Sequence, residues 1–137
     1  MLSALYLKKL LMPMRTGIIY SSDQNVVDTC FDCCSEIGMG LFKKTEFTNF
    51  IFEIQQDLID LIIFDSNDQY ADCLKQVKII RRIKPKIPLI VISDDIESVE
   101  GGKIYEEGVF HLAQKPIDKN IIKEIISASI NTLKQNG

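Results

Sequence analysis

Five parallel strands in the order 2-1-3-4-5, with helices on both faces, are what this sequence predicts, and three features predict it. Strand-like apolar runs alternate with helix-period segments five times along the 137 residues, with no linker between them. Leu61 to Phe64 and Leu89 to Ile92 are apolar without a break, the mark of strands covered on both faces. Three runs end on polar residues of different kinds: at Asp65, at Ser93, and through Gln114 at Lys115. In an open parallel sheet, sites form beyond the carboxyl ends of the strands, so a carboxylate, a hydroxyl and an ammonium are expected to converge there.

Gly17 to Ser21 reads as the first strand, and Asn25 to Ile37 as a helix with Val27, Cys30, Phe31, Cys34 and Ile37 on its buried stripe. Gly38 and Gly40 end it. Leu41 to Phe47 reads as a second strand, whose Lys43, Lys44 and Glu46 place it at a sheet edge. Thr48 is the expected cap of a helix reaching Gln56, with Phe50, Ile51 and Ile54 turned inward. Leu61 to Phe64 is the central strand. Tyr70 to Ile83 repeats Leu74, Val77, Ile80 and Ile83 at helical spacing until Pro85 stops it. Pro88 introduces Leu89 to Ile92. Ile96 to Glu107 is a weaker helix, because Gly101 and Gly102 each cost about 1 kcal/mol relative to alanine. Val109 to Gln114 is the fifth strand, and Asp118 caps a last helix carrying Ile121, Ile122, Ile125, Ile126, Ile130 and Leu133.

Composition narrows the function classes. With 46% apolar and 26% charged residues, the chain is an ordinary globular domain. A net charge of -3 gives no basic footprint for nucleic acid. The one local cluster, Arg81, Arg82, Lys84 and Lys86, sits at a helix end where cations favour the dipole. No run is long and apolar enough to span a bilayer, so no membrane role is expected. Residues 1–14 read as a short N-terminal extension, because Lys8 and Lys9 break the apolar region that a secretion signal needs, and residues 15–137 as one domain.

Cys30, Cys33, Cys34 and Cys73 lack the spacing of a disulfide framework, which points to a reducing, cytoplasmic setting. Cys30-Phe-Asp-Cys33 has the form of a thiol redox motif, but reactive pairs stand at the very start of a helix. Cys30 lies past the first turn on the apolar stripe, which favours buried packing. His111 has no second histidine with which to share a metal and reads as a partly exposed strand residue. No glycine loop follows the first strand and no nucleophile and base pair stands out, so no enzyme is expected.

Leu61-Ile-Ile-Phe-Asp65, Val77-Lys-Ile-Ile-Arg-Arg-Ile83, Ile87-Pro-Leu-Ile-Val-Ile-Ser93, Glu107-Gly108-Val109 and Lys115-Pro116 together resemble the receiver domain of bacterial two-component response regulators, a CheY-like, flavodoxin-like fold. The resemblance runs from about Thr16 to the end. It implies a phosphorelay role, with Asp65 as phosphoacceptor, Ser93 as the hydroxyl that moves to the phosphoryl group and Lys115 as the lysine that pairs with it. It further implies a cis peptide before Pro116. The partners it implies are a histidine kinase or phosphotransfer protein and a downstream protein target, with the last strand and helix as a dimer or partner face. Since the chain stops with its fifth helix, a stand-alone receiver is expected.

One departure changes the chemistry. Receiver domains carry an acidic pair after the first strand that holds Mg²⁺, and the aligned residues here are Ser21 and Ser22, with Asp23 one position later. Magnesium prefers carboxylate oxygen, so its binding is expected to be weakened. Asp23 stands either as a substitute ligand or as a helix cap. Residues 66–69 lack the proline common in that loop, and Leu112 replaces the aromatic residue that reports phosphorylation. Two readings therefore remain: a receiver phosphorylated on Asp65, or a phosphorylation-independent pseudo-receiver that serves as a protein-interaction module.

Overall fold

The computed structural model describes residues 4, 15–56, 58–66, 70–94 and 98–136. Apart from Ala4, the extension assigned to residues 1–14 lies outside them, as do residues 67–69, Ile96 and the side chain of Leu133. Strands β1 (Thr16–Tyr20), β2 (Gly40–Lys44), β3 (Leu61–Ser66), β4 (Leu89–Ser93) and β5 (His111–Gln114) form one sheet in the order β2-β1-β3-β4-β5. Every pairing is parallel. Between the strands run α1 (Gln24–Glu36), α2 (Phe47–Ile54), α3 (Tyr70–Ile83) and α4 (Ser98–Tyr105), and α5 (Lys119–Asn136) closes the chain.

The sheet divides two apolar cores. On one face, Ile19, Ile63, Ile90 and Ile92 pack with Val26, Val27 and Cys30 of α1 and Ile122, Ile126 and Ile130 of α5. On the other, Ile18, Ile62, Phe64 and Val91 pack with Phe50 and Ile54 of α2, Val77 and Ile80 of α3, and Ile104 of α4. Alternate residues of β3 and β4 thus enter different cores, which is why those strands read as unbroken apolar runs. Tyr20 stacks on Phe64 with centroids 5.2 Å apart, and Phe47 meets Tyr20 edge-on at 5.8 Å, so an aromatic cluster braces the ends of β1 and β3.

Several boundaries differ from the sequence expectation. The second strand stops at Lys44 rather than Phe47, because Phe47 turns into the aromatic cluster as the first residue of α2. Glu46, not Thr48, holds the N-cap position of α2, and it makes no side-chain cap bond. β5 begins at His111 rather than Val109, since Gly108, with φ +82°, turns the chain just before it. α4 ends at Tyr105 rather than Glu107. Phe31 and Ile121 were assigned to buried stripes, yet they are 38% and 55% exposed, because each lies on the shoulder of its helix away from the sheet. Asp118 does cap α5: its Oδ1 accepts from Ile121 N at 3.1 Å.

The basic cluster has a more specific use than a dipole contact. Arg81 donates to the carbonyls of Pro85 at 3.2 Å and Ile87 at 2.5 Å, which pins the turn from α3 into β4. At the open edge of the sheet, the Tyr105 hydroxyl accepts from Leu112 N at 3.1 Å. No helix among the described residues is long and apolar enough to cross a membrane.

Candidate functional site

Period two sets the site. Asp65 follows Ile63 by two residues in β3, and Ser21 follows Ile19 by two at the end of β1, so both side chains emerge on the α1 and α5 side. There Ser21 Oγ donates to Asp65 Oδ2 at 2.6 Å and accepts from Asp23 N at 3.0 Å. Both Ser21 and Asp65 are completely buried. Lys115 reaches in from the end of β5, with Nζ 3.0 Å from Asp65 Oδ1 and 3.1 Å from Asp23 Oδ2. Asp94, just past β4, adds a third carboxylate, with Oδ1 3.8 Å from the same nitrogen.

Ser93 stands differently. The register sets it opposite Ser66, while Asp65 faces Ile92, so it shares the pleat side of Ser66. Its tie to Lys115 is through the backbone, Lys115 N donating to Ser93 O at 2.9 Å. The structure therefore brings Asp65 and Lys115 together directly and places Ser93 on the neighbouring strand end. The Lys115–Pro116 peptide is cis.

Asp23 resolves its two alternatives by filling a position between them. Its Oδ1 caps α1, accepting from Asn25 N at 3.0 Å and Val26 N at 3.4 Å, while Oδ2 pairs with Lys115. Asp65 and Lys115 alone sum to zero; Asp23 at 3.1 Å brings the sum to one negative charge, and the more distant Asp94 at 3.8 Å brings it to two. Sequence reasoning missed Asp94 and the Ser21 to Asp65 bond. The signal for the second was present, because Ser21 and Asp65 follow Tyr20 and Phe64, which are paired in register.

The electrostatics follow from burial. Burial pushes the Asp65 carboxyl above the ordinary aspartate range, against the opposing pull of the Ser21 and Lys115 contacts. The Lys115 contact, with the two cap bonds, holds Asp23 below that range. Burial alone would lower Lys115, but the bonds to Asp65 and Asp23 outweigh it and the ammonium is stabilised. A cavity of about 600 Å³ opens beside it, lined by Asp23, Asn25, Thr29, Asp94, Pro116 and Ile117.

The residues present do not fit the Mg²⁺ of the resembled family. Among the described residues no group of three or more His, Cys, Asp or Glu side chains is placed to hold a metal ion. Octahedral Mg²⁺ needs oxygens at about 2.0–2.1 Å. Here Ser21 Oγ is committed to Asp65 and Asp23, and the carboxylates turn toward an ammonium. The cysteines are all free and buried: Cys34 is pushed up to about 12 by burial, and Cys30 is raised further. Neither is a reactive thiolate at neutral pH.

No protein-family model matches the chain, and no curated protein matches it. Solved structures do. A CheY-like receiver domain protein from Methanospirillum hungatei superposes with a TM-score of 0.79 at 13% identity, covering 90% of this chain and 99% of that one. HP1043, an orphan response regulator of Helicobacter pylori, gives 0.74 at 15% identity over 85% and 96%. CpaE2, a putative pilus assembly protein from Sinorhizobium meliloti, gives 0.70 at 12% identity over 83% and 98%. The chain has the fold of the response regulator receiver domain.

Proposed function

We propose that the chain is a pseudo-receiver: a receiver-like module of two-component signalling that works through protein contacts without accepting a phosphoryl group. One observation carries this. The Asp65 carboxylate is completely buried, with one oxygen accepting from Ser21 Oγ at 2.6 Å and the other 3.0 Å from Lys115 Nζ. A phosphoacceptor must present a free oxygen in line with its donor, with cations to neutralise the charge that builds up. Here one oxygen is hydrogen-bonded, the other is buried with no hydrogen bond and faces only the Lys115 ammonium, and the acidic pair is replaced. A receiver-like fold also occurs in CpaE2, a putative pilus assembly protein, and a fold by itself does not fix chemistry.

A partner of such a module would be a protein, and the exposed Tyr105, Phe110 and Ile121 of α4, the loop before β5 and α5 supply apolar surface for it or for a second copy. The competing reading keeps Asp65 as phosphoacceptor for a histidine kinase or phosphotransfer protein, with Ser93 and Lys115 assisting. It is favoured by the direct approach of Lys115 to Asp65 at a strand end. Incubation with a small phosphodonor and Mg²⁺ separates the two by intact mass. An unchanged mass, with partner binding insensitive to Asp65→Asn, supports the pseudo-receiver; a gain of one phosphoryl group that Asp65→Asn abolishes overturns it.

A further inference from the structure

Away from the strand ends, charge is sorted onto two helix faces. Residues 75–86 hold Lys75, Lys78, Arg81, Arg82, Lys84 and Lys86 with no acidic residue among them, in a chain whose net charge is -3. Arg81 turns inward onto the carbonyls of Pro85 and Ile87. Lys75, Lys78 and Arg82 are exposed, and at spacings i, i+3 and i+7 they share one face of α3. In their midst, at i+4, stands Ile79, 43% exposed. Glu107, 3.7 Å from Lys78, offsets one of these charges in part.

The outer face of α1 carries the same pattern with the opposite sign. Asp28, Phe31, Asp32 and Ser35 stand at i, i+3, i+4 and i+7, all exposed, with Phe31 at 38%. Asp28 accepts from Gln24 Nε2 at 2.7 Å, a bond that leaves its charge intact. Glu36, farther along, is already bridged to Lys119 and Lys123 at 3.0 and 2.9 Å. A single exposed apolar side chain is ordinary; one set among charges of a single sign, on each of two helices, is not. α1 packs on one face of the sheet and α3 on the other, so the two faces of one molecule cannot meet.

We propose that the acidic face of α1 docks antiparallel on the basic face of α3 of a second copy, joining copies head to tail. The spacing i, i+3, i+4, i+7 is unchanged by reversal, so an antiparallel pair sets Phe31 against Ile79, Asp32 against Lys78, and Asp28 against Arg82. Two α1 faces would oppose Asp to Asp, and two α3 faces would oppose cation to cation. Charge therefore selects the unlike pairing, which is a heterologous contact. Neither face includes a residue of the strand-end site, so the contact goes beyond the pseudo-receiver reading and stands whether or not Asp65 takes a phosphoryl group.

The helices, of 13 and 14 residues, are each about 20 Å long. A contact between two such faces is at the small end of specific interfaces, and its ion pairs are exposed, so weak and salt-sensitive association is expected.

Sedimentation equilibrium of the full chain over a concentration series, at low and high salt, tests the proposal. The parent is expected to associate, at least about tenfold more weakly in about 1 M salt than in about 0.05 M. Asp28→Lys with Asp32→Lys, and Lys78→Glu with Arg82→Glu, should each associate at least about tenfold more weakly than the parent, because reversal sets like charges together. An equal mixture of the two variants should recover the parent's association to within about threefold, since every contact between unlike copies again pairs opposite signs. Phe31→Ser and Ile79→Ser, which leave the charges alone, should each weaken association at least about threefold. A parent that stays monomeric up to about millimolar concentration overturns the proposal. So does association that neither reversal weakens, or a mixture of folded variants that fails to recover. Should a reversal variant fail to fold, the serine variants decide, and association unchanged by both overturns the proposal.

Discussion

Ser21 and Asp65 are joined across β1 and β3 by a 2.6 Å hydrogen bond in which the hydroxyl donates to a wholly buried carboxylate oxygen. The same hydroxyl receives Asp23 N, so one oxygen links a strand end, a helix cap and the central acid. Ser21→Ala leaves a buried carboxylate oxygen and a backbone N–H without partners. It is expected to lower the unfolding free energy by about 1–3 kcal/mol, read by urea denaturation. A neutral result would mean that water replaces the hydroxyl.

Asp65 and Asp23 should leave opposite marks on the pH dependence of stability. Burial raises the Asp65 pKa in the folded chain, so the folded state holds that proton more tightly than the unfolded one. The stability this group contributes is present below the unfolded value of about 3.9 and is lost as pH rises through the folded value. Relative to Asp65→Asn, the parent should therefore lose stability as pH rises from about 4, a trend that urea unfolding of both proteins across the range measures. For Asp23, held low chiefly by Lys115, the contribution is present above about 3.9 and lost as pH falls through the depressed value.

The double use of Asp23 separates cleanly by substitution. Asp23→Asn keeps an oxygen for Asn25 N and Val26 N but weakens the ion pair, whereas Asp23→Ala loses both. Loss of the cap alone is expected to make the alanine variant about 1 kcal/mol less stable than the asparagine one. Equal stabilities would show that the cap contributes nothing and that Lys115 is the partner that matters.

Two glycines should respond with opposite signs. Gly102 lies in α4 with ordinary backbone angles and nothing within 4 Å of an added Cβ, so Gly102→Ala should stabilise by roughly 0.5–1 kcal/mol. Gly38 has equal space but φ +73°, and Gly38→Ala should cost about 1–2 kcal/mol. Thermal unfolding of the two variants beside the parent tests both.

The sheet was legible because its strands are marked twice, by unbroken apolar runs and by the polar residue that ends each. The order β2-β1-β3-β4-β5 follows from that alternation and from right-handed crossovers. Where charge replaced apolar pattern, the reading slipped: Lys43, Lys44 and Glu46 hid the end of β2 and the start of α2, which the aromatic contacts of Phe47 decide. In the site, Asp65 and Lys115 were legible from their strand ends. Asp94 was not, because a carboxylate in a loop looks like any solvated residue, and it stays 65% exposed even with Lys115 Nζ 3.8 Å away. Ser21 was read as a missing acid, and its use as a donor depends on the register between β1 and β3.

The hydroxyl of Tyr105 on Leu112 N reaches past the site to the behaviour of whole molecules. β5 is the last strand of the sheet, only four residues long, and alternate peptide groups along it point outward with no sixth strand among the described residues to meet them. An open donor of that kind invites an extended segment of another chain to add on. By covering that one donor from the preceding helix, Tyr105 shortens the stretch of edge that a stranger's backbone could pair with in a concentrated solution.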